Sequence, residues 1–108
     1  MDKEITTTTR DRDLKESELE TSMMFEGGIK IDKKGKEIET SAIKIWSSRE
    51  YGNKGPYQTL ALVGTPCTPF YERAFYTKET DKKEEMRNQH FDMVQHFQKM
   101  YLDQKNKF

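Results

Sequence analysis

The sequence predicts an α+β protein: a four-stranded antiparallel β-sheet, arranged as a meander over residues 22–77, covered on one face by a C-terminal α-helix over residues 81–103. Two observations lead to this prediction. The first range is rich in β-branched and aromatic residues and is divided by glycines and prolines, which is typical of strands and turns. The second range repeats apolar side chains with the period of a helix. Successive strands with short links are most simply arranged as a meander.

Length and composition predict one domain preceded by a charged segment. The chain has 108 residues, of which 32% are hydrophobic and 35% are charged. These fractions lie below and above the usual values for globular domains. Residues 1–21 hold a threonine tract and a dense run of charges, and such a composition buries little apolar surface. We therefore expect residues 1–21 to be a flexible, mobile, charged N-terminal segment and residues 22–108 to form a single α+β domain.

The first predicted strand covers residues 22–31 and has an irregularity in its middle. Its apolar residues share one parity, and they are Met23, Phe25, Ile29 and Ile31. The Gly27-Gly28 pair interrupts this pattern, which predicts a β-bulge or a close approach of the backbone. A lysine-rich turn around Gly35 follows, because glycine there can take the left-handed conformation.

The next two predicted strands form a long hairpin. The second strand covers residues 38–46 and the third covers residues 57–63. Between them, residues 52–56 read Gly-Asn-Lys-Gly-Pro, a composition typical of a turn. The second strand does not alternate cleanly, which is typical of a central strand that is partly covered on both faces. Two prolines then separate the hairpin from a fourth strand over residues 70–77.

The C-terminal helix is predicted from one apolar face. At 100° per residue this face collects Met86, His90, Met93, Val94, Phe97, Met100 and Tyr101. Thr80 or Asp81 is in a position to cap the helix, and acidic residues in its first turn suit the helix dipole. We expect this face to pack on the sheet. Phe91 and Leu102 lie to one side of it and offer a second contact surface.

Cations and aromatic rings alternate through the predicted hairpin, and this is its main chemical feature. The residues concerned are Lys44, Trp46, Arg49, Tyr51, Lys54 and Tyr57. Residues 30–57 hold seven basic and four acidic groups, a local charge of 7 − 4 = +3. Rings that stack on bases beside cations that meet phosphates are typical of single-stranded nucleic-acid binding. Trp, Tyr and Arg are also enriched at the centres of protein interfaces.

Two functions therefore remain open, both for a non-catalytic binding module. The first is binding of single-stranded nucleic acid through the six hairpin residues. The second is a small protein-binding inhibitor or adaptor, of the kind that phage-like compact genomes encode, acting through the same loop or the exposed helix edge. The chain as a whole is neutral, with 19 basic and 19 acidic residues, which counts against tight nonspecific binding to a long polyanion. A sheet with one uncovered face also favours a homodimer.

Other residues with reactive side chains do not form a recognisable catalytic or metal site. His90 and His96 are six residues apart on the predicted helix, so they do not share a face, and no metal site is expected. His90 is interpreted as a hydrogen-bonded core histidine and His96 as exposed. Cys67 is the only cysteine, so an intramolecular disulfide is excluded. We expect no enzymatic activity and no cofactor.

The compartment is predicted from the single cysteine and from the hydropathy of the chain. A lone thiol is typical of a reducing interior. No apolar run approaches the roughly 20 residues that a membrane-spanning helix needs. We therefore expect a cytoplasmic protein without a membrane partner.

Overall fold

A computed structural model describes residues 5–11, 18–33, 35–49, 56–64 and 74–106 of the chain. Its strands form one antiparallel sheet in the order β1-β2-β3-β4-β5, so each pairs with the next along the chain. They are β1 (Ile5–Asp11), β2 (Leu19–Lys33), β3 (Lys36–Arg49), β4 (Tyr57–Gly64) and β5 (Ala74–Thr80), and the helix that packs on them is α1 (Lys83–Lys105). The predicted α+β layout, with an antiparallel meander and a C-terminal helix, is confirmed.

The predicted number of strands is wrong, because the sheet has five strands and not four. The additional strand is β1, which contains the threonine tract of the predicted flexible N-terminal segment. It pairs antiparallel with β2, from Ile5 opposite Phe25 to Asp11 opposite Leu19. Threonine is β-branched and suits a pleated edge strand even where few apolar residues accompany it.

The side of β1 that faces α1 explains how a polar strand is held in the sheet. Ile5 packs against the main hydrophobic core. The Thr7 hydroxyl accepts a hydrogen bond of 3.1 Å from the side-chain amide of Gln98, on α1. This bond is exposed, and it links β1 to the helix side by side with the packing of Ile5.

The other predicted strands lie close to the observed ones. β2 begins earlier than predicted, at Leu19, and β3 extends beyond the predicted range at both ends. β4 agrees within one residue. β5 runs from Ala74 to Thr80, and the first residues of the predicted fourth strand, 70–73, lie outside the described residues. So do residues 51–55, which include most of the predicted hairpin turn.

The register between β2 and β3 shifts at the Gly27-Gly28 pair. Met24 pairs with Ala42, but the next pair is Ile29 with Thr40, so the intervening residues of β2 outnumber those of β3. Gly27 and Gly28 have φ values of 81° and 84°, which are unfavourable for residues with a Cβ. The predicted irregularity is therefore present. Beyond it, β2 and β3 continue to the turn at Gly35.

The core lies between the sheet and α1. The predicted apolar face of the helix is confirmed, since six of its seven residues are buried and Met100 is partly buried. Its strand partners include Met23, Ile43, Ile45 and Ala61. The N-cap is Lys82 rather than the predicted Thr80 or Asp81, and the Thr80 hydroxyl accepts a hydrogen bond from the Lys82 amide. Phe91 and Leu102 are exposed, as expected.

Candidate functional site

The sheet has a second face, directed away from α1, which is called the outer face below. Successive side chains of a strand point to opposite faces. Because Ile43, Ile45 and Ser47 of β3 are buried on the helix side, Lys44 and Trp46 lie on the outer face. Two of the six predicted binding residues are thus on the sheet surface that the helix does not cover.

Trp46 lies on the central strand of the outer face, three residues before the end of β3. β3 is the central strand of the five, and Trp46 pairs with Glu20 on β2 and with Leu60 on β4. Trp46 and Leu60 are both partly buried. Directly opposite side chains in antiparallel strands are in contact range. The indole therefore lies beside an apolar neighbour on one strand and a carboxylate on the other.

The charges of the outer face partly balance one another. The Lys44 ammonium lies 3.0 Å from a carboxylate oxygen of Glu20, and both side chains are 24% exposed. Arg10 on β1 pairs in register with Glu20 from the other side. Arg10, Lys44 and Glu20 therefore sum to +1, and Glu79, which is opposite Gln58 on the same face, brings the sum to 0.

Arg49 and Tyr57 lie on the helix side of the sheet and not beside Trp46. They are opposite each other at the end of the β3–β4 hairpin, and the Arg49 guanidinium lies 5.2 Å from the centre of the Tyr57 ring. Tyr57 is 7% exposed and belongs to a small buried cluster with Leu19 and Met86. Its ring is therefore occupied in packing, whereas Arg49 is exposed. Tyr51 and Lys54 lie outside the described residues.

The structure thus divides the predicted set. Lys44 and Trp46 share the outer face, and Arg49 and Tyr57 share the opposite side of the hairpin end. The neighbours of Trp46 on the outer face, Glu20 and Leu60, were not among the predicted site residues. Leu60 had a usable signal, because a hairpin centred on Asn53 pairs residues whose numbers add to 106, as 46 and 60 do.

A buried polar network crosses the helix side of the sheet. His90 of α1 is fully buried, with Thr21 Oγ1 2.7 Å from Nε2 and Ser47 Oγ 2.8 Å from Nδ1. Each of these hydroxyls bonds to another one. Thr21 lies 3.0 Å from the Thr9 hydroxyl, and Ser47 lies 2.9 Å from the Thr59 hydroxyl. This hydroxyl–histidine network connects α1 with β1, β2, β3 and β4.

The Ser47–His90 pair has the separation of a nucleophile and its general base, but it has no access to a substrate. Both side chains have 0% exposure, and Ser47 is also engaged by Thr59. A catalytic pair needs room for a reacting atom about 3 Å from the nucleophile. We therefore assign the network to holding the helix on the sheet. The interpretation of His90 as a hydrogen-bonded core histidine is confirmed, and His96 is exposed as expected.

The described residues contain neither a cluster of metal ligands nor a membrane-spanning helix. No group of three or more His, Cys, Asp or Glu side chains in the described residues is arranged to hold a metal ion. Cys67 lies outside those residues. The one helix that the structure describes is not apolar enough to cross a membrane.

The chain was also compared with known proteins. Comparison with protein-family models, with curated proteins and with solved structures found no match.

Proposed function

We propose that this protein is a non-catalytic binding module that holds a protein partner against its outer face, with Trp46 as the central anchor. The observation that supports this most directly is the position of Trp46. It lies on the central strand, partly buried, between Leu60 and the Glu20 carboxylate. Tryptophan is one of the residue types enriched among binding hot spots.

The surroundings of Trp46 have the pattern of a small protein interface. Leu60 extends the apolar surface on β4, and the exposed Met24 lies on the same face of β2, four residues from Glu20. Short polar side chains lie near its margin, among them Ser22 and Ser48. Protein interfaces combine an apolar centre with a polar rim in this way. The partner surface that fits here is mainly apolar at its centre and carries polar groups at its edge.

The charges of the outer face favour a protein over a nucleic acid. Affinity for single strands depends on cations that neutralise phosphates. Lys44 already lies 3.0 Å from Glu20, so a phosphate must compete with that carboxylate. Arg49 projects from the other side of the sheet. The outer face attracts a polyanion weakly, because the charges of Arg10, Lys44, Glu20 and Glu79 sum to zero. Contact with a neutral protein surface does not depend on cations.

Nucleic-acid binding is kept as the second candidate because Lys44 and Trp46 are neighbours on the same face of β3. A base stacked on the indole and a phosphate at Lys44 would use both side chains. In that case Glu20 is inhibitory, since its carboxylate repels the phosphate. The two candidates therefore differ in what the removal of Glu20 does: Glu20→Gln strengthens nucleic-acid binding but leaves an apolar protein contact nearly unchanged.

Site-specific photocrosslinking tests the proposal. A photoreactive phenylalanine analogue replaces Gln58, which is near Leu60 on the outer face, and in a matched control it replaces Gln95, which is exposed on α1. We expect a protein adduct in native cells from position 58 and not from position 95. Trp46→Ala should abolish that adduct, because truncating a hot-spot residue costs about 2 kcal/mol or more, roughly thirtyfold in affinity. An adduct of two copies of the chain would identify the partner as a second copy.

Titration with oligothymidine tests the second candidate, nucleic-acid binding. Trp46 is the only tryptophan, so its fluorescence reports directly on the outer face. If the protein proposal is correct, oligothymidine at low salt leaves the emission unchanged and Glu20→Gln does not alter this. Quenching that Glu20→Gln strengthens and salt weakens would replace the proposed function with nucleic-acid binding.

A further inference from the structure

A groove lies at the other end of the molecule, between the β2–β3 turn region and the C-terminal end of α1. Its volume is about 830 Å³. Residues 26–28 and 30–32 of β2, with Glu37 and Glu39 of β3, form one wall, and the end of α1 from Tyr101 to Lys105 contributes the other through Tyr101, Gln104 and Lys105. The Tyr101 hydroxyl donates a hydrogen bond to the Glu26 carbonyl oxygen, which joins the two walls at one end. This groove is separate from the outer-face surface around Trp46.

The backbone of β2 along this groove continues past the end of its neighbouring strand. Within the described residues, β1 pairs with β2 only as far as Phe25, opposite Ile5. From Ile29 onward, β2 pairs with β3 on its other side. A strand edge of this kind presents backbone N–H and C=O groups to any extended chain that lies alongside it.

The side chain of Gln104 occupies one such position in the way that a peptide group would. The Lys30 amide donates to Gln104 Oε1 over 2.9 Å, and Gln104 Nε2 donates to the Lys30 carbonyl oxygen over 2.6 Å. A neighbouring antiparallel strand makes the same pair of bonds, one accepted and one donated by a single residue. The backbone of Asp32, two residues farther on, points to the same side by alternation. The edge is therefore competent for strand pairing at Lys30.

The lining of the groove is predominantly acidic. It contains four carboxylates, from Glu26, Asp32, Glu37 and Glu39, against two ammonium groups, from Lys30 and Lys105. Its net charge is therefore 2 − 4 = −2, in a chain that is neutral overall. Lys105 also contacts the face of the Tyr101 ring at 5.6 Å. A cationic ligand is complementary to this wall, whereas an anionic one is repelled.

We propose that this groove binds an extended, lysine- or arginine-containing segment of a protein partner, which adds to the edge of β2 in place of the Gln104 amide. The main chain of the segment takes over the two bonds at Lys30. Its long basic side chains reach across β2 toward Glu37 and Glu39, which pair with Asp32 and Lys30 and line the same groove. Addition of a strand to a sheet edge derives its affinity from main-chain bonds and its specificity from alternate side chains. Here the specificity is for positive charge.

A labelled peptide tests this proposal with the full-length protein. The probe is a peptide of about ten residues in which lysine alternates with threonine, a length that suits strand addition. A second peptide has the same charge, but every second threonine is replaced by proline, which removes backbone donors and disfavours strand pairing. We expect saturable binding of the first peptide, measured by fluorescence anisotropy, and binding of the proline peptide that is weaker by about tenfold or more.

Two sets of variants separate the role of charge from that of the edge. The double substitution Glu37→Lys and Glu39→Lys should weaken binding of the first peptide by about tenfold or more, through like-charge repulsion. Asp92→Lys combined with Glu79→Lys is the matched control, because both residues are exposed and neither lines the groove. Gln104→Ala should tighten binding by about threefold, since the peptide no longer competes with the side-chain amide.

The proposal is overturned by any of three results. The first is equal binding of the two peptides. The second is binding of the first peptide to the Glu37→Lys, Glu39→Lys variant that is as tight as binding to the wild type. The third is the absence of saturable binding to both wild type and Gln104→Ala. Trp46→Ala should leave peptide binding unchanged. If this variant loses partner binding at the outer face but keeps peptide binding in the groove, the two surfaces act separately.

Discussion

At the scale of single residues, His90 is the buried polar side chain of α1 that bonds to two strands of the sheet. It is fully buried, and both ring nitrogens lie within hydrogen-bonding distance of a hydroxyl. A neutral imidazole has one donor and one acceptor nitrogen, and a hydroxyl can serve either of them. The hydroxyl–histidine network can therefore satisfy the ring without a carboxylate.

Replacement of His90 tests how much this network contributes. His90→Ala should lower the free energy of unfolding by about 3 kcal/mol, because it leaves a cavity and removes one partner from each of Thr21 and Ser47. Urea unfolding followed by circular dichroism measures the change. His96→Ala is the matched control on the same helix, and because His96 is exposed we expect a change within about 0.5 kcal/mol.

A second substitution distinguishes hydrogen bonding from packing at the same position. His90→Leu fills most of the volume with an apolar side chain but offers Thr21 and Ser47 nothing to bond. It should still destabilise the protein, by about 1 to 3 kcal/mol, because buried hydroxyls that lose a partner are costly. If His90→Leu is as stable as the wild type, packing alone explains the position of His90.

Sequence reasoning could identify His90 but not its partners. The helical period places it at the centre of an apolar face, which indicates a core residue. Thr21, Ser47 and Thr59 are far from it in the chain, and only the strand register brings them together. Trp46 shows the same limit, since its residue type marked it as a candidate, whereas Glu20 became its neighbour only through the pairing of β2 with β3.

At the scale of secondary-structure elements, the elements with a strong period or turn signal were predictable. α1 repeats apolar residues through several turns, and β3 and β4 flank a glycine-rich link. β1 was not predicted, because only Ile5 carries the apolar signal on which strand prediction depends. Its other inward side chains, Thr7 and Thr9, are held by hydrogen bonds to groups distant in sequence. The acidic groove was not predictable either, because it forms only where the end of α1 packs beside β2, which is distant from it in the sequence.

The irregularity in β2 gives a prediction at this scale. Gly27 has φ of 81°, and a Cβ at this position would have nothing within 4 Å, so backbone conformation alone opposes a side chain there. Gly27→Ala should destabilise the protein by about 1 to 2 kcal/mol, which chemical denaturation can measure. Gly27→Asn should cost less, because asparagine tolerates positive φ better. Equal costs for the two substitutions would mean that strain at this residue does not determine the effect.

At the scale of the whole molecule, β1 links the N-terminal residues to every layer of the fold. Ile5 reaches the hydrophobic core, Thr7 bonds to α1, and Thr9 ends the hydroxyl–histidine network. β1 also pairs with seven residues of β2, from Leu19 to Phe25. A flexible tail would have none of these contacts. Removal of β1 therefore distinguishes a strand that stabilises the sheet from a flexible N-terminal segment.

Deletion of residues 1–11 should therefore reduce the free energy of unfolding by about 2 kcal/mol or more, since it removes strand pairing, partial burial of Ile5 and two side-chain hydrogen bonds. The urea m-value should fall as well, because less surface is exposed on unfolding. A control that replaces residues 5–11 with glycine and serine keeps the chain length but removes the β-branched side chains, and it should lose a similar amount of stability.

If both variants unfold at the same urea concentration as the wild type, β1 contributes nothing to stability and the N-terminal residues behave as the flexible segment expected from composition. If only the deletion is destabilised, the effect belongs to the length of the chain and not to the side chains that β1 places against α1 and β2.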